Sequence, residues 1–412
     1  MLKRVLRKYG GLWRSVPQGP PDTVLGMTEA YAKIKSPRKV NLGIGVYRDD
    51  NEKPWVLPSV RQAELHISRN QANHEYLPIE GLESFCNSVI KSGLGNNLAV
   101  REDRLAWCQS LSGVGALRLG MEFLKKFYPK ASEIYISQQA WPNYANIIKD
   151  SGYSLKTYSY FDFGTKGLDF ERMCEDLEDA PRGSVIILEA CGHNPTGVDP
   201  TKEQWQTLQK LMAEKQHIAY FDLIYNGLVS GDPFEDAYPV RLFADNNNPT
   251  LVSQSCAKSF GLYGDRVGCF YALCDSQQEK QRVQSQLKII ARPLHSNPPL
   301  HGARIVDTIL NSSEIHSQWL QDLKTMTGRI SSIRHELVEQ LKVSPHDWSH
   351  ISQHGGWFSY SGLNAQQCSQ LSQRQNILIT QDGRIALTGL NSKNVQYVAE
   401  AIDNVTKYSS KV

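Results

Sequence analysis

The chain has 412 residues, 40% of them hydrophobic and 21% charged, which is the balance of a folded chain rather than a disordered one and enough length for two or three domains. Its 45 Lys and Arg face 42 Asp and Glu; five of the cations stand in the first 21 residues with no acid, so the rest of the chain has two acids in excess. The basic charge therefore belongs to the start of the chain and gives no footing for a nucleic-acid partner, and no apolar run approaches the ~18 residues that mark a transmembrane segment.

In chain order, the first element is a short amphipathic helix. At about 100° per residue, Leu2, Val5, Leu6, Tyr9, Leu12 and Trp13 fall on one side, and Lys3, Arg4, Arg7 and Lys8 on the other. A basic, acid-free amphipathic start has the form of a mitochondrial import segment, so residues 1–21 are expected to be a leader and arm. The location expected is the mitochondrial matrix, with the cytoplasm as the alternative.

From about residue 100 to 275, strand-like and helix-like stretches alternate. Strands are predicted at Glu133–Ser137, Ser184–Ala190, His217–Asp222, Thr250–Ser255 and Val267–Leu273, with helical patterns such as Thr201–Glu214 between them. Such alternation predicts an α/β fold with a mostly parallel sheet. Ser313–Leu341 is different: apolar residues recur every three or four positions from Ile315 to Leu341, which predicts one long helix interrupted only by Gly328. Short strands near Trp357–Tyr360 and Arg384–Leu387 and a helix near Asn394–Thr406 follow, forming a smaller α+β unit. The eight cysteines include no Cys-x-x-Cys pair, so neither a metal site nor a disulfide framework is expected.

The most informative segment runs from Ser253 to Arg266. A strand ends in Ser255-Cys256-Ala257-Lys258, and Arg266 follows eight residues after the lysine. A lysine at a strand end, near cations that depress its pKa, suits Schiff-base formation. Ser255 and Arg266 suit a phosphate on the same ligand. Ser-x-x-Lys is also the nucleophile motif of penicillin-binding proteins, but their Ser-Asp-Asn and Lys-Thr-Gly elements are absent. Upstream, a strand runs into Gly192-His193-Asn194-Pro195-Thr196-Gly197, a turn at the strand's carboxyl end, where open α/β sheets bind ligands. Another strand ends in Asp222, with Tyr225 three residues on. That carboxylate suits a cationic ring nitrogen, or alternatively a helix N-cap. Ser112-Gly113-Val114-Gly115 opens a helical pattern whose amides suit phosphate; the third glycine of a dinucleotide fingerprint is missing, since position 118 is Arg.

Together these residues resemble the aspartate aminotransferases, pyridoxal-phosphate enzymes of fold type I, and the likeness runs from Gly19-Pro20-Pro21-Asp22 to about Lys407. Further segments that carry it are Val40–Asp50, Glu75–Ile79, Arg292–Pro299 and Asp382–Ile385. The Gly-Pro-Pro-Asp start is similar to the mitochondrial form. The resemblance implies pyridoxal 5'-phosphate held by Lys258, which also moves the proton, with Asp222 on the ring nitrogen. Tyr225 and Asn194 would meet the ring's phenolate oxygen, and Trp141 would stack on the ring. Ser112, Gly113, Val114, Ser255 and Arg266 would bind the phosphate, with Tyr76 from the partner of a homodimer. Arg384 would clamp the substrate α-carboxylate and Arg292 of the partner subunit the side-chain carboxylate, while Gly45 would lie where the small domain closes. The implied division is residues 22–50 as the first part of the small domain, 51–320 as the large cofactor-binding domain and 321–412 as the rest of the small domain.

The departures from this pattern cluster around the cofactor. Val114 stands in place of Thr, losing a hydroxyl donor worth about 1.5–3 kcal/mol. Gln139 stands in place of the proline before the usual Thr, where the family has a cis bond; here the loop either keeps that bond or turns trans and shifts Trp141. Tyr144 and Glu189 replace two histidines near Asp222, Ile224 replaces Ala, and His295 replaces Tyr beside Arg292. A second acid at 189 is expected to push one carboxyl pKa up. The resulting expectation is the exchange L-aspartate + 2-oxoglutarate = oxaloacetate + L-glutamate, a ping-pong transamination. Two other readings stay open: a shifted, aromatic or kynurenine-like specificity, and a catalytically weakened member kept for binding or scaffolding.

Overall fold

The computed structural model describes residues 13–20, 25–70 and 73–407. Most of the expected leader helix lies outside the described residues. Seven strands form the central sheet: β1 (Leu105–Leu111), β2 (Glu133–Ser137), β3 (Ser154–Tyr158), β4 (Val185–Glu189), β5 (Ile218–Leu223), β6 (Thr250–Ser255) and β7 (Val267–Leu273). Their order is β1-β7-β6-β5-β4-β2-β3. Only β7 runs antiparallel to its neighbours, and it sits between β1 and β6. The sheet is thus mostly parallel, as expected. The sequence pattern did not disclose β1 and β3, nor the reversed direction of β7.

The inner strands are buried along almost their whole length because helices cover both faces, while β3 at the edge is largely exposed. Alternation decides which side chain goes where. On β5, Phe221 and Leu223 enter one core with Trp205, whereas Tyr220 enters the other core beneath α1 (Ser112–Phe127). The Tyr220 hydroxyl donates to the Ala116 carbonyl at 3.1 Å. Asp222, two residues on, shares that face. Glu189 of β4 lies directly opposite Asp222 in the parallel register. Two acids thus stand side by side at the carboxyl edge of the sheet, on one face.

The helix α2 (Gln277–His295) follows the sheet, and α3 (Ser313–Leu341) spans its predicted range as one unbroken element. Residue 320, the expected domain boundary, falls inside α3. The Ser312 side chain caps its start by accepting the Ile315 N–H. The buried stripe includes Trp319, Leu323, Met326, Ile330 and Leu337. Trp319 reaches towards the sheet: its indole N–H donates to the Ser259 carbonyl at 2.9 Å, and its ring stacks on Phe260 at 4.5 Å. The long helix therefore pins the loop that carries Lys258. The last helix, α4 (Val395–Lys407), packs on α3. Near it, Val40–Asn41 pairs in parallel with Ile377–Leu378, and Phe358–Tyr360 pairs with Arg384–Ala386.

Gly328 does not break α3, because it faces solvent; a Cβ built there meets nothing within 4 Å. Glycine in a helix interior costs about 0.5–1 kcal/mol relative to alanine. Gly328→Ala is expected to raise the unfolding free energy by about that amount. Urea denaturation checks it, and an unchanged or lowered midpoint would show that the position is not open. Among the described residues, no helix is long and apolar enough to cross a membrane.

Candidate active site

A cavity of about 280 Å³ opens at the carboxyl edge of the parallel strands. Of the residues singled out from the sequence, Gly45, Ser112, Gly113, Val114, Trp141, Asn194, Asp222, Tyr225, Lys258, Arg266 and Arg384 line it. Ser255 lies just beneath, its hydroxyl 2.9 Å from that of Ser112. Tyr76 and Arg292 do not line it. Both are exposed, Tyr76 at 89%, and Arg292 donates to Ser296 Oγ at 2.8 Å on the last turn of α2.

The phosphate end is built from backbone. Ser112 starts α1 in the left-handed region, at φ 62°, a costly conformation for a residue with a Cβ and one that clusters at functional sites. Gly268 of β7 makes it possible: a Cβ there would stand 2.9 Å from Ser112 Cα. The first amides of the sixteen-residue helix α1 face the cavity at Gly113 and Val114, where the helix dipole favours an anion. Arg266, also left-handed at φ 54°, is held by donation to the Tyr263 carbonyl at 3.0 Å and stands exposed at the mouth.

The lysine follows the end of β6. Its Nζ donates to the Gly45 carbonyl and lies 5.0 Å from the Tyr263 ring and 5.5 Å from the Trp357 ring. Burial, and then the nearby Arg266 and Arg384 cations, hold its pKa down to about 7. A large fraction of this amine is therefore neutral and nucleophilic near neutral pH.

Across the cavity stands Asp222. No helix follows it, so it caps none. Its Oδ2 accepts from the Tyr144 hydroxyl at 2.6 Å, and its buried Oδ1 has no protein partner. Burial raises its pKa to about 6, against which the Tyr144 hydrogen bond acts. Glu189 beside it is also pushed up, by burial first and then by the Asp222 charge. The expected effect of a second acid is present: the Asp222 charge adds to the rise of Glu189. Tyr225 is buried between Trp357 and Phe358, with ring centroids at 5.6 and 5.8 Å. Trp141 is half-buried and meets Tyr144 edge-on at 5.5 Å. All peptide bonds of the described residues are trans, which decides the geometry before Gln139. The Gln139 side chain accepts the Phe161 N–H at 3.1 Å.

Arg384 opens the short strand Arg384–Ala386 at the cavity wall. Its Nη1 donates to Asn194 Oδ1 at 3.3 Å and its Nη2 to the Gly43 carbonyl, while Nε is buried without a partner. Its guanidinium carbon sits 5.1 Å from the Phe358 ring. Sequence reasoning did not single out Phe358 or Tyr263 as cavity walls. Tyr263 lies within the informative lysine segment, and Phe358 within a predicted strand, but no spacing marks an aromatic as a wall rather than as core.

The donors fit one kind of ligand. They suit a phosphate at the helix start, a protonated ring nitrogen at the unpartnered Asp222 oxygen, and a carbonyl carbon at the lysine. The fold is that of the fold type I pyridoxal-phosphate aminotransferases. Residues 37–402 match the profile "Aminotransferase class I and II", and the chain belongs to that family. It is 46% identical, over 96% of its length and 91% of the relative's, to a mitochondrial aspartate aminotransferase of Schizosaccharomyces pombe. Among solved structures it is similar to the cytoplasmic aspartate aminotransferase of Saccharomyces cerevisiae, with a TM-score of 0.94 and 41% identity over 97% of this chain and 99% of that one. An aromatic-amino-acid aminotransferase of Burkholderia pseudomallei, covalently bound to pyridoxal phosphate, gives 0.93 and 38% identity over 96% of this chain and 99% of that one.

Proposed function

We propose that the protein is a pyridoxal 5'-phosphate-dependent aspartate aminotransferase, exchanging the amino group between L-aspartate and 2-oxoglutarate to give oxaloacetate and L-glutamate. The observation that carries this is Lys258 and Asp222 on one cavity, with the Arg384 guanidinium at its wall. The similarity to enzymes of that name over nearly the whole chain supports it.

When bound, pyridoxal phosphate supplies an aldehyde that takes up amino groups and a ring that draws electrons from the adjacent carbon. Ser112, Ser255, the α1 amides and Arg266 would hold its phosphate, and Asp222 would pair with the ring nitrogen and keep it cationic. Tyr225 and Asn194 are assigned to the ring oxygen, and Trp141 covers the ring face. Lys258 Nζ, which lines the cavity, would hold the cofactor by its aldehyde and give way to the substrate amine. Neutral when free, Nζ would act as the base that holds and moves the proton of the substrate Cα. One site with one lysine would serve both half-reactions in turn, water releasing the first keto acid before the second enters, so the exchange would be ping-pong. Arg384 holds the α-carboxylate throughout and so keeps Cα in reach of Nζ.

The exposed Tyr76 and Arg292 are read as residues lent to the partner of a homodimer, Tyr76 to the phosphate and Arg292 to the side-chain carboxylate. Arg292→Leu is expected to lower kcat/KM for aspartate about 100-fold, the loss for one desolvated charge pair. Turnover of an aromatic donor should fall much less. Steady-state assays with both donors check this, and equal losses would contradict the role. The similarity to an aromatic-amino-acid aminotransferase supports a second reading, in which aromatic donors are also accepted. The donor comparison in the unaltered protein separates the two, aspartate being the faster if the first reading holds. The matrix of the mitochondrion is the proposed location, supported by the basic amphipathic start and by the relative's name.

A further inference from the structure

We propose that Glu189 is a positioning residue for the substrate-binding arginine: it fixes Asn194, and Asn194 fixes Arg384. The inference rests on the reading of Arg384 as the carboxylate clamp and names what holds that clamp in this chain.

Glu189 ends β4 with its side chain buried. Its Oε2 accepts the Asn194 backbone N–H at 2.7 Å. The side chain of Asn194 accepts from Arg384 Nη1 at 3.3 Å. The rest of the loop is anchored elsewhere: the Gly192 and His193 amides donate to Asp199 at 2.7 and 2.9 Å, and the Gly197 amide to the His193 carbonyl at 2.8 Å. Asn194, the residue that reaches the arginine, hangs on Glu189 alone among these acceptors. Gly197, at φ 72°, brings the far end of the loop against the Phe358 carbonyl, so close that a Cβ there would overlap it. The loop is thus stapled at both ends, and the Glu189 contact sets where its middle lies.

The other oxygen of Glu189 does no comparable work. Oε1 has no hydrogen-bond partner; His193 Nε2 stands 3.9 Å away and is bound to Ser137 Oγ at 3.0 Å. His193 is neutral, its pKa pushed down to about 3 by burial. Asp222 faces Glu189 from β5, and Tyr144 faces Asp222 from the helix Asn143–Asp150. Burial and the Asp222 charge push the Glu189 carboxyl up, and its Oε2 accepts the Asn194 amide in either protonation state.

The test uses the cofactor-loaded dimer and succinate, a four-carbon dicarboxylate with no amino group to react. Calorimetry should show succinate binding about tenfold more weakly to Glu189→Leu, the effect of one buried amide left without its acceptor. Glu189→Gln keeps a neutral acceptor oxygen and should recover most of that affinity. In turnover, KM should rise in the leucine variant more than kcat falls. Equal affinity in the leucine variant and the unaltered protein overturns the proposal, as does a glutamine variant as weak as leucine. Should Glu189→Leu fail to fold, hydrogen exchange in the unaltered protein serves: the Asn194 amide should slow when succinate binds, and unchanged exchange overturns the proposal. Failure of the unaltered protein to bind succinate overturns the Arg384 reading itself, and the Glu189 inference with it.

Discussion

Lys258→Ala is expected to retain the fold and lose transamination by at least about 10⁴-fold, since one side chain supplies both the covalent attachment and the proton carrier. The pocket is made for a neutral amine. Burial, Arg266 and Arg384 all act on Nζ in the same direction, towards a pKa of about 7. The Gly45 carbonyl and two aromatic faces leave it no carboxylate to pair with. Removing the side chain leaves the loop intact, because the Trp319 donation to Ser259 and its stacking on Phe260 do not involve Lys258. A coupled assay for oxaloacetate measures the loss, and a residual rate within about 100-fold of the unaltered protein would remove Lys258 from the reaction.

Asp222→Asn separates stability from catalysis. Activity is expected to fall on the order of 10³-fold, because a neutral amide cannot hold the ring nitrogen cationic. The cofactor-free protein should behave in the opposite way. Asp222 titrates near 6 in the folded protein against a usual 3.8. A carboxyl with a raised folded pKa binds its proton more tightly folded than unfolded. The folded state then loses stability as pH climbs from about 4 through 6, by about 3 kcal/mol in all. Glu189 titrates in the same direction. Asparagine at 222 cannot ionise and still accepts from Tyr144. The cofactor-free variant should therefore gain on the cofactor-free unaltered protein as pH rises from 4 to 7. Urea unfolding at the two pH values measures this, and a gap that does not grow would show that Asp222 is not buried as described. The cationic ring nitrogen of the loaded protein offsets the cost, so loading should narrow the difference.

Much of this site was legible because its residues sit where periodicity breaks. Lys258, Asp222 and Asn194 each follow a strand-like run, and a polar residue at the carboxyl end of a buried strand is conspicuous. The long helix was legible to the residue, since its stripe repeats without fault from Ile315 to Leu341. What escaped notice has physical reasons. Ser154–Tyr158 is an edge strand with an exposed, mixed face, so it has neither alternation nor an apolar run. The reversal of β7 leaves no mark on side-chain pattern, because both faces are covered whichever way the strand runs. Pairing of Val40–Asn41 with Ile377–Leu378 joins segments more than three hundred residues apart, beyond any local signal. The closeness of Asp222 and Glu189 depends on their register, and only the strand pairing supplies that.

The most direct measurement of the central claim is chemical. The loaded protein is reduced with borohydride, digested, and its peptides weighed. The account requires the cofactor mass on the peptide that carries Lys258, and its loss from that peptide when aspartate is added before reduction. A cofactor mass on another lysine, or one on Lys258 that aspartate does not remove, would contradict it.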